Sequence, residues 1–379
     1  MTIALRSASL VLAAAVLGAA EPLPTKDQVA SLIGQAQNWL VAQQQASGAF
    51  VPGNKFTLGV TQLSLVALAS QPLALKATEP AIAKGLAFTA KFRQTDGSFM
   101  VPEEGLANYC TSLQLQVFAA TATGAPAEIK AAQEFLFGIQ NAQAGSINQG
   151  GIGYGSRGAG NEDLNNTTFS ILALRNTGVP ASDPRMQAAV KFLERCQNLS
   201  AVNTLPWVTG DGGAVYSPDE SKVNGSWDRQ APTPDKPAPK LASYGTMTYS
   251  LISSYLALDV GKDDPRVKAA RDWIAANWTL DANPGMVKEK EKQGLLYYYT
   301  IMARTLDVLD IDQLDTKAGK VDWRAELFAA IKKRAQTAKL PDGGEGVFWI
   351  NEADRWGEGL PQLGNGYLIQ ALKRIHQAL

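Results

Sequence analysis

Met186-Gln-Ala-Ala-Val-Lys-Phe-Leu-Glu-Arg-Cys-Gln-Asn198, then Asp211-Gly212-Gly213 and Tyr216, then Tyr244 to Leu258, is the stretch that decides the fold. In its first part Ala189, Val190, Phe192, Leu193 and Cys196 recur at helical spacing, with Lys191, Glu194 and Arg195 between them. That spacing gives a helix with one buried stripe and one wet face. Gln197 and the Asp-Gly-Gly turn stop it. Asp bonds nearby amides and Gly supplies positive φ, so Asp211 reads as a turn residue rather than an acid catalyst. The segment from Tyr244 to Leu258 carries no charge. A helix apolar nearly all round is buried on most sides.

The same order appears six times. Trp39-Leu40, Gln45, Gly48 and Phe50 precede the apolar run Thr57 to Leu68. Phe88, Gln94, Asp96-Gly97 and Phe99 precede Tyr109 to Ala119, and Phe135-Leu136, Gln140, Gly150-Gly151 and Tyr154 precede Thr167 to Leu174. After the fourth copy come Trp273-Ile274 and Pro284-Gly285 before Gly294 to Leu306. Phe328 to Ile331, Asp342-Gly343-Gly344 and Phe348-Trp349 then precede Leu363 to Ile375. Such a period marks a repeat architecture. Six wet outer helices alternating with six dry inner ones predict an all-α, (α/α)6 toroid of two concentric rings. An open solenoid is the alternative, since period alone does not close a ring.

The chain has 379 residues, 45% of them hydrophobic, and no formal net charge. This suits one large core, expected over residues 21–379, and gives no basic patch for nucleic acid. Residues 1–20 read as a secretory signal: Arg6 precedes the apolar Leu10 to Leu17, and Gly18-Ala19-Ala20 offers a cleavage site. The expected location is therefore periplasmic or extracellular. Cys110 and Cys196 are the only cysteines and read as small buried hydrophobes. Residues 217–240, with Pro218, Pro232, Pro234, Pro237 and Pro239, read as a long inserted loop. Asp307 to Val321 reads as a charged connection.

The repeats resemble the prenyltransferase and squalene-cyclase superfamily over about residues 30–379. The runs Ser243 to Tyr249, Asn283-Pro284-Gly285, Gly294 to Tyr299, Asp322 to Leu327 and Arg355 to Gly359 resemble a narrower group of exported bacterial squalene-cyclase-repeat proteins. The resemblance implies an apolar or isoprenoid ligand in a central cavity. It also implies cyclase chemistry started by the middle acid of an Asp-x-Asp-Asp-Thr motif. Here the matching stretch is Asp163-Leu164-Asn165-Asn166-Thr167-Thr168, in which the proton donor and its neighbour have become Asn. A carboxamide delivers no proton to an alkene, so Asp163 becomes the candidate catalytic acid, with a helix cap as its other reading. Aromatic faces stabilise cations. Tyr244, Tyr297 and Trp356, with Asn165, Asn166, Arg355 and Glu358, are the candidate ligand contacts. Of Tyr297, Tyr298 and Tyr299, about 100° apart on a helix, at most one or two face a cavity.

Other chemistries fit less well. The prenyltransferase zinc site needs Asp, Cys and His, and the lone His376 stands with no Cys near it in sequence, so no metal or cofactor is expected. Ser-His-Asp catalysis is excluded in practice because the lone His is terminal, and no phosphate-binding Gly-rich motif is present. Two alternatives stay open: a non-catalytic lipid- or protein-binding toroid, and a polysaccharide-processing (α/α)6 enzyme using Glu345, Glu352, Asp354, Arg355, Trp356 and Glu358. Peripheral membrane contact is compatible with an apolar cargo, and no protein partner is identified.

Overall fold

A computed structural model describes residues 21–53, 56–155 and 161–379. The expected export signal lies outside the described residues. Twelve α-helices occur among them: α1 (Lys26–Ala42), α2 (Thr57–Ala69), α3 (Pro80–Thr89), α4 (Ala107–Thr121), α5 (Pro126–Gly138), α6 (Leu164–Asn176), α7 (Pro184–Cys196), α8 (Gly245–Ala257), α9 (Pro265–Ala276), α10 (Leu295–Leu309), α11 (Trp323–Lys333) and α12 (Pro361–Ala378). The even-numbered helices form the inner ring. Each packs on the next, and α12 packs back on α2. This contact closes the toroid and excludes the open solenoid. Helices α3, α5, α7, α9 and α11 pack outside the inner helix that precedes each of them, while α1 packs on α12. The first outer helix thus joins the last inner one, fastening the two ends of the chain together.

Outer helices start from a recurrent device. Asp183, Asp264 and Asp322 cap α7, α9 and α11, and each accepts from the backbone N–H of the Arg two residues on. The guanidiniums of Arg185, Arg266 and Arg324 fold back onto the same carboxylates at 2.8, 2.8 and 2.6 Å. The fork geometry of Arg and the orphan donors of the first turn are satisfied together.

The repeated Gln ties neighbouring repeats. Gln140 Nε2 donates to the Gly150 carbonyl at 2.8 Å and to that of Arg185, in α7, at 2.9 Å. Gln197 does the same with Gly212, at 3.1 Å, and Arg266, in α9, at 2.9 Å. In the first repeat Gln44 takes this role, bonding Gly48 and Ala81, rather than the expected Gln45. A second link was not legible in sequence. Thr61, Thr111, Thr167 and Thr248, one turn into their inner helices, accept the backbone N–H of Phe50, Phe99, Ile152 and Ala214 in the turns before them. Gly212 shows why the turns need glycine: its φ is +86°, and a Cβ would sit 2.6 Å from the Ala269 carbonyl oxygen.

Two irregular stretches carry more order than expected. The loop over 217–240 contains a two-residue hairpin, β1 (Glu220–Ser221) with β2 (Gly225–Ser226), and lies over a small second core of Trp207, Val215, Trp227 and Leu241. Charge in the 307–321 stretch does not stop α10, which runs on to Leu309 by burying Leu306 and Leu309. The remainder forms the hairpin β3 (Gln313–Thr316) with β4 (Gly319–Asp322). Asp342-Gly343-Gly344 turns a third hairpin, β5 (Gln336–Lys339) with β6 (Glu345–Phe348). Cys110 and Cys196 are buried and free.

Candidate functional site

The site forms on the ring axis near the N-terminal ends of the inner helices. Tyr109 enters from α4, Asn165 and Phe169 from α6, Tyr297 from α10 and Tyr367 from α12. Asn165 Nδ2 donates to the Tyr109 hydroxyl at 2.6 Å, and Tyr297 Oη donates to Asn165 Oδ1 at 2.7 Å. Because α8 stands between α6 and α10 in the ring, the second bond crosses the axis. The aromatic rings follow the same path. Tyr109 meets Phe169 edge-on at 4.9 Å, Phe169 stacks on Tyr297 at 6.0 Å, and Tyr297 meets Tyr367 at 5.4 Å. All five side chains are half-buried, so each keeps surface toward the interior of the ring. Burial pushes the hydroxyls of Tyr109, Tyr297 and Tyr367 further above neutrality, so they remain neutral donors.

Asp163 stands behind this layer. It caps α6, accepting from the Asn166 backbone N–H at 2.8 Å and from Asn166 Nδ2 at 2.7 Å, and is 1% exposed. Burial raises its carboxyl to about 6 against the hydrogen bonds from Asn166. Asn166 is itself buried, its Oδ1 accepting from Asn108 Nδ2 at 3.2 Å. Thr167 belongs to the set of threonines that hold the turns, which gives the Thr of this stretch a structural role in the repeat. Of the Asp-Leu-Asn-Asn-Thr run, therefore, only Asn165 reaches the axis.

The other candidates divide. Tyr244 is buried at the start of α8. Tyr298 and Tyr299 are fully buried between helices, bonding the carbonyls of Thr279 and Leu280, which leaves Tyr297 alone of the three at the axis. Glu358 is buried and caps α10 from outside its own helix, accepting from the backbone N–H of Tyr297 at 2.8 Å and from Asn351 Nδ2 at 2.6 Å. Burial raises its carboxyl against those bonds. It positions Tyr297 rather than facing the axis. Trp356 is 52% exposed, with its ring over Gly294, and Arg355 is exposed on the same loop.

Tyr109, Phe169 and Tyr367 were not singled out by sequence. Their signal is positional: Tyr109 lies in the first turn of α4, and Phe169 and Tyr367 in the second turns of α6 and α12. Glu104, just before α4, was missed as well. Its Oε2 is buried with no hydrogen bond, and burial and then Glu103 raise its carboxyl to about 7. Among the described residues no His, Cys, Asp or Glu group could hold a metal ion, and no helix is long and apolar enough to cross a membrane. The layer presents aromatic faces, which favour apolar contact and stabilise positive charge. It places no carboxylic acid at position 165.

No family model matches the chain, and no curated protein does. Among solved structures it is similar to the type II terpene cyclase MstE from Scytonema, with 14% identity and a TM-score of 0.54, over 94% of this chain and 100% of the other. Variants of that enzyme in complex with its substrate, geranylgeranyl dihydroxybenzoate, and with its product, merosterolic acid A, match at 14% identity and a TM-score of 0.54. Each covers 93% of this chain and 99% of its own. At this identity the likeness shows a terpene-cyclase-like α/α toroid, the fold alone.

Proposed function

We propose that this chain is an exported toroid that binds an apolar or isoprenoid-like molecule on its axis, without acid-driven cyclisation at position 165. One observation carries the reading. The aromatic layer of Tyr109, Phe169, Tyr297 and Tyr367 is built around the amide of Asn165, the residue aligned with the proton donor of class II cyclases. The aromatic faces suit an isoprenoid chain, and the amide lacks the acidic proton that would start a cascade. The Scytonema enzyme's isoprenoid-bearing substrate supports the class of ligand. Asp163 fits less well as a replacement acid, because both of its oxygens are engaged by Asn166 behind the layer. The carbohydrate alternative gains no support: Glu358 is committed to α10, and Glu345, Glu352 and Asp354 are exposed on the surface.

The test is incubation of the purified mature protein with geranylgeraniol and with squalene, followed by mass spectrometry of the extracts. Retention of unchanged isoprenoid is expected. A new cyclic product would reject the non-catalytic part of the reading, and no retention would reject the binding part.

A further inference from the structure

Two inner helices repeat one pattern. Tyr297 and Arg304 on α10, and Tyr367 and Arg374 on α12, are each seven residues apart. Seven residues are two turns, about 10 Å at 1.5 Å per residue, on nearly the same face. Below the tyrosine layer, therefore, lies a layer of arginines. The same spacing rule puts Leu113, four residues after Tyr109, and Ile301, four after Tyr297, between the two layers, and Leu172, seven after Asn165, level with the arginines. These three are buried but retain 8, 4 and 7% of their surface.

The two arginines are not equivalent. Arg374 Nη1 pairs with Asp307 Oδ2 at 2.9 Å. Arg304 has no carboxylate within ion-pair distance among the described residues. Among the described residues its one hydrogen bond is from Nε to Ser253 Oγ at 3.3 Å, and neither Nη group has a partner there. Burial, and then the neighbouring Arg374, lower its guanidinium to about 9 against Asp307 and Tyr297. Lys373, next to Arg374 on α12, is a further buried cation, bonding the carbonyls of Leu68 and Ser70. One carboxylate, Asp307, thus pairs with Arg374 and acts on Arg304 only at longer range. A half-buried guanidinium with a free two-donor edge matches the geometry of a carboxylate or phosphate. Leaving it unpaired costs stability unless a ligand completes it.

We propose that Arg304 is the head-group site of the axial ligand: an amphiphile whose isoprenoid-like chain lies along the apolar and tyrosine layers and whose oxyanion, carboxylate or phosphate, pairs with the Nη edge of Arg304. This rests on the axial-binding reading above and specifies its ligand as anionic.

The experiment compares binding of geranylgeranyl monophosphate, geranylgeranoic acid and geranylgeraniol to wild type and to Arg304→Met by isothermal calorimetry, with inorganic pyrophosphate as a chain-free probe. Wild type should prefer at least one of the two anions over the alcohol by roughly tenfold or more. Arg304→Met should lose that preference and any pyrophosphate heat, while holding the alcohol as before. Which anion wins separates a carboxylate from a phosphate head group. Equal binding of anions and alcohol by wild type, or an unchanged preference in Arg304→Met, would overturn the head-group site while leaving axial binding intact. Failure of all three amphiphiles with an Arg304-dependent pyrophosphate signal would instead reject the apolar chain and keep the anion site. Silence from all four probes would reject both. Arg304→Met should unfold at or above the wild-type temperature, because it removes a half-buried charge that has no ion-pair partner among the described residues.

Discussion

The hydroxyl of Tyr297 and the amide oxygen of Asn165 meet at 2.7 Å across the axis of the inner ring, joining two helices that are not neighbours. With Tyr109 on the other side of the amide, at 2.6 Å, three inner helices are held by one side chain. Asn165 acts here as a polar crosslink within an aromatic layer.

Asn165→Ala should therefore destabilise the protein by about 2 kcal/mol, since two hydroxyls lose their partner together. Asn165→Asp should be tolerated near pH 5 and destabilising near pH 8. A carboxyl in this layer is pushed up by burial, so its folded pKa exceeds its unfolded one. The stability it contributes is present in its neutral form and lost as pH rises through the folded value. Denaturant unfolding at both pH values checks this, and equal stability at the two would refute it.

Asp163→Ala should cost about 2 kcal/mol through loss of the α6 cap, whereas Asp163→Asn should keep most of the cap. Wild type should lose stability relative to Asp163→Asn between about pH 4 and pH 6, because the folded pKa lies at about 6 against an ordinary 3.8. Parallel unfolding curves for the two proteins across that range would contradict the assignment of the shift to burial.

Lys373 gives the opposite slope. Its ammonium is buried against the carbonyls at the end of α2, and burial lowers its pKa from 10.5 to about 7. A base with a lowered folded pKa stabilises fully above the unfolded value, and that stability is lost as pH falls through the folded one. Wild type should thus gain on Lys373→Met by roughly 1.4 kcal/mol for each pH unit between about 7 and 10. Chemical denaturation of both proteins at pH 7 and pH 9 measures the difference, and an equal gap at the two would remove Lys373 as the source.

Gln197→Ala should be the most damaging of these changes, by about 3 kcal/mol. It strips hydrogen bonds from the carbonyls of Gly212 and Arg266 and from the Tyr255 hydroxyl, all in a buried site. Gln45→Ala in the first repeat should be nearly neutral, since Gln44 makes the bridging bonds there. Thermal unfolding of the pair compares them, and a large loss in Gln45→Ala would contradict the observed register.

The rings were legible because helical periodicity and Gly turns are local properties. Phe192 and Leu193 announce an outer stripe, and the uncharged run after Tyr244 an inner helix. Ring closure and the axial layer were not local. Nothing near Tyr109 marks it as the partner of a residue 56 positions away, and Asn165 reads as a defect in an acid motif until its two tyrosine partners are seen. The charged Asp307 to Val321 stretch misled in a different way. Asp307 and Arg374 pair, which lets charge continue inside a helix otherwise buried by Leu306 and Leu309. Arg304 carried no sequence signal beyond its spacing of seven from Tyr297.

The most direct measurement of the central claim is photocrosslinking of the purified protein with a diazirine-bearing geranylgeraniol, followed by peptide mapping. Axial binding predicts labels on α4, α6, α10 and α12 around Tyr109, Phe169, Tyr297 and Tyr367, suppressed by excess unlabelled geranylgeraniol. Labels confined to the exposed Trp356 loop or the Pro-rich loop over 217–240, or labels that excess ligand does not suppress, would contradict it.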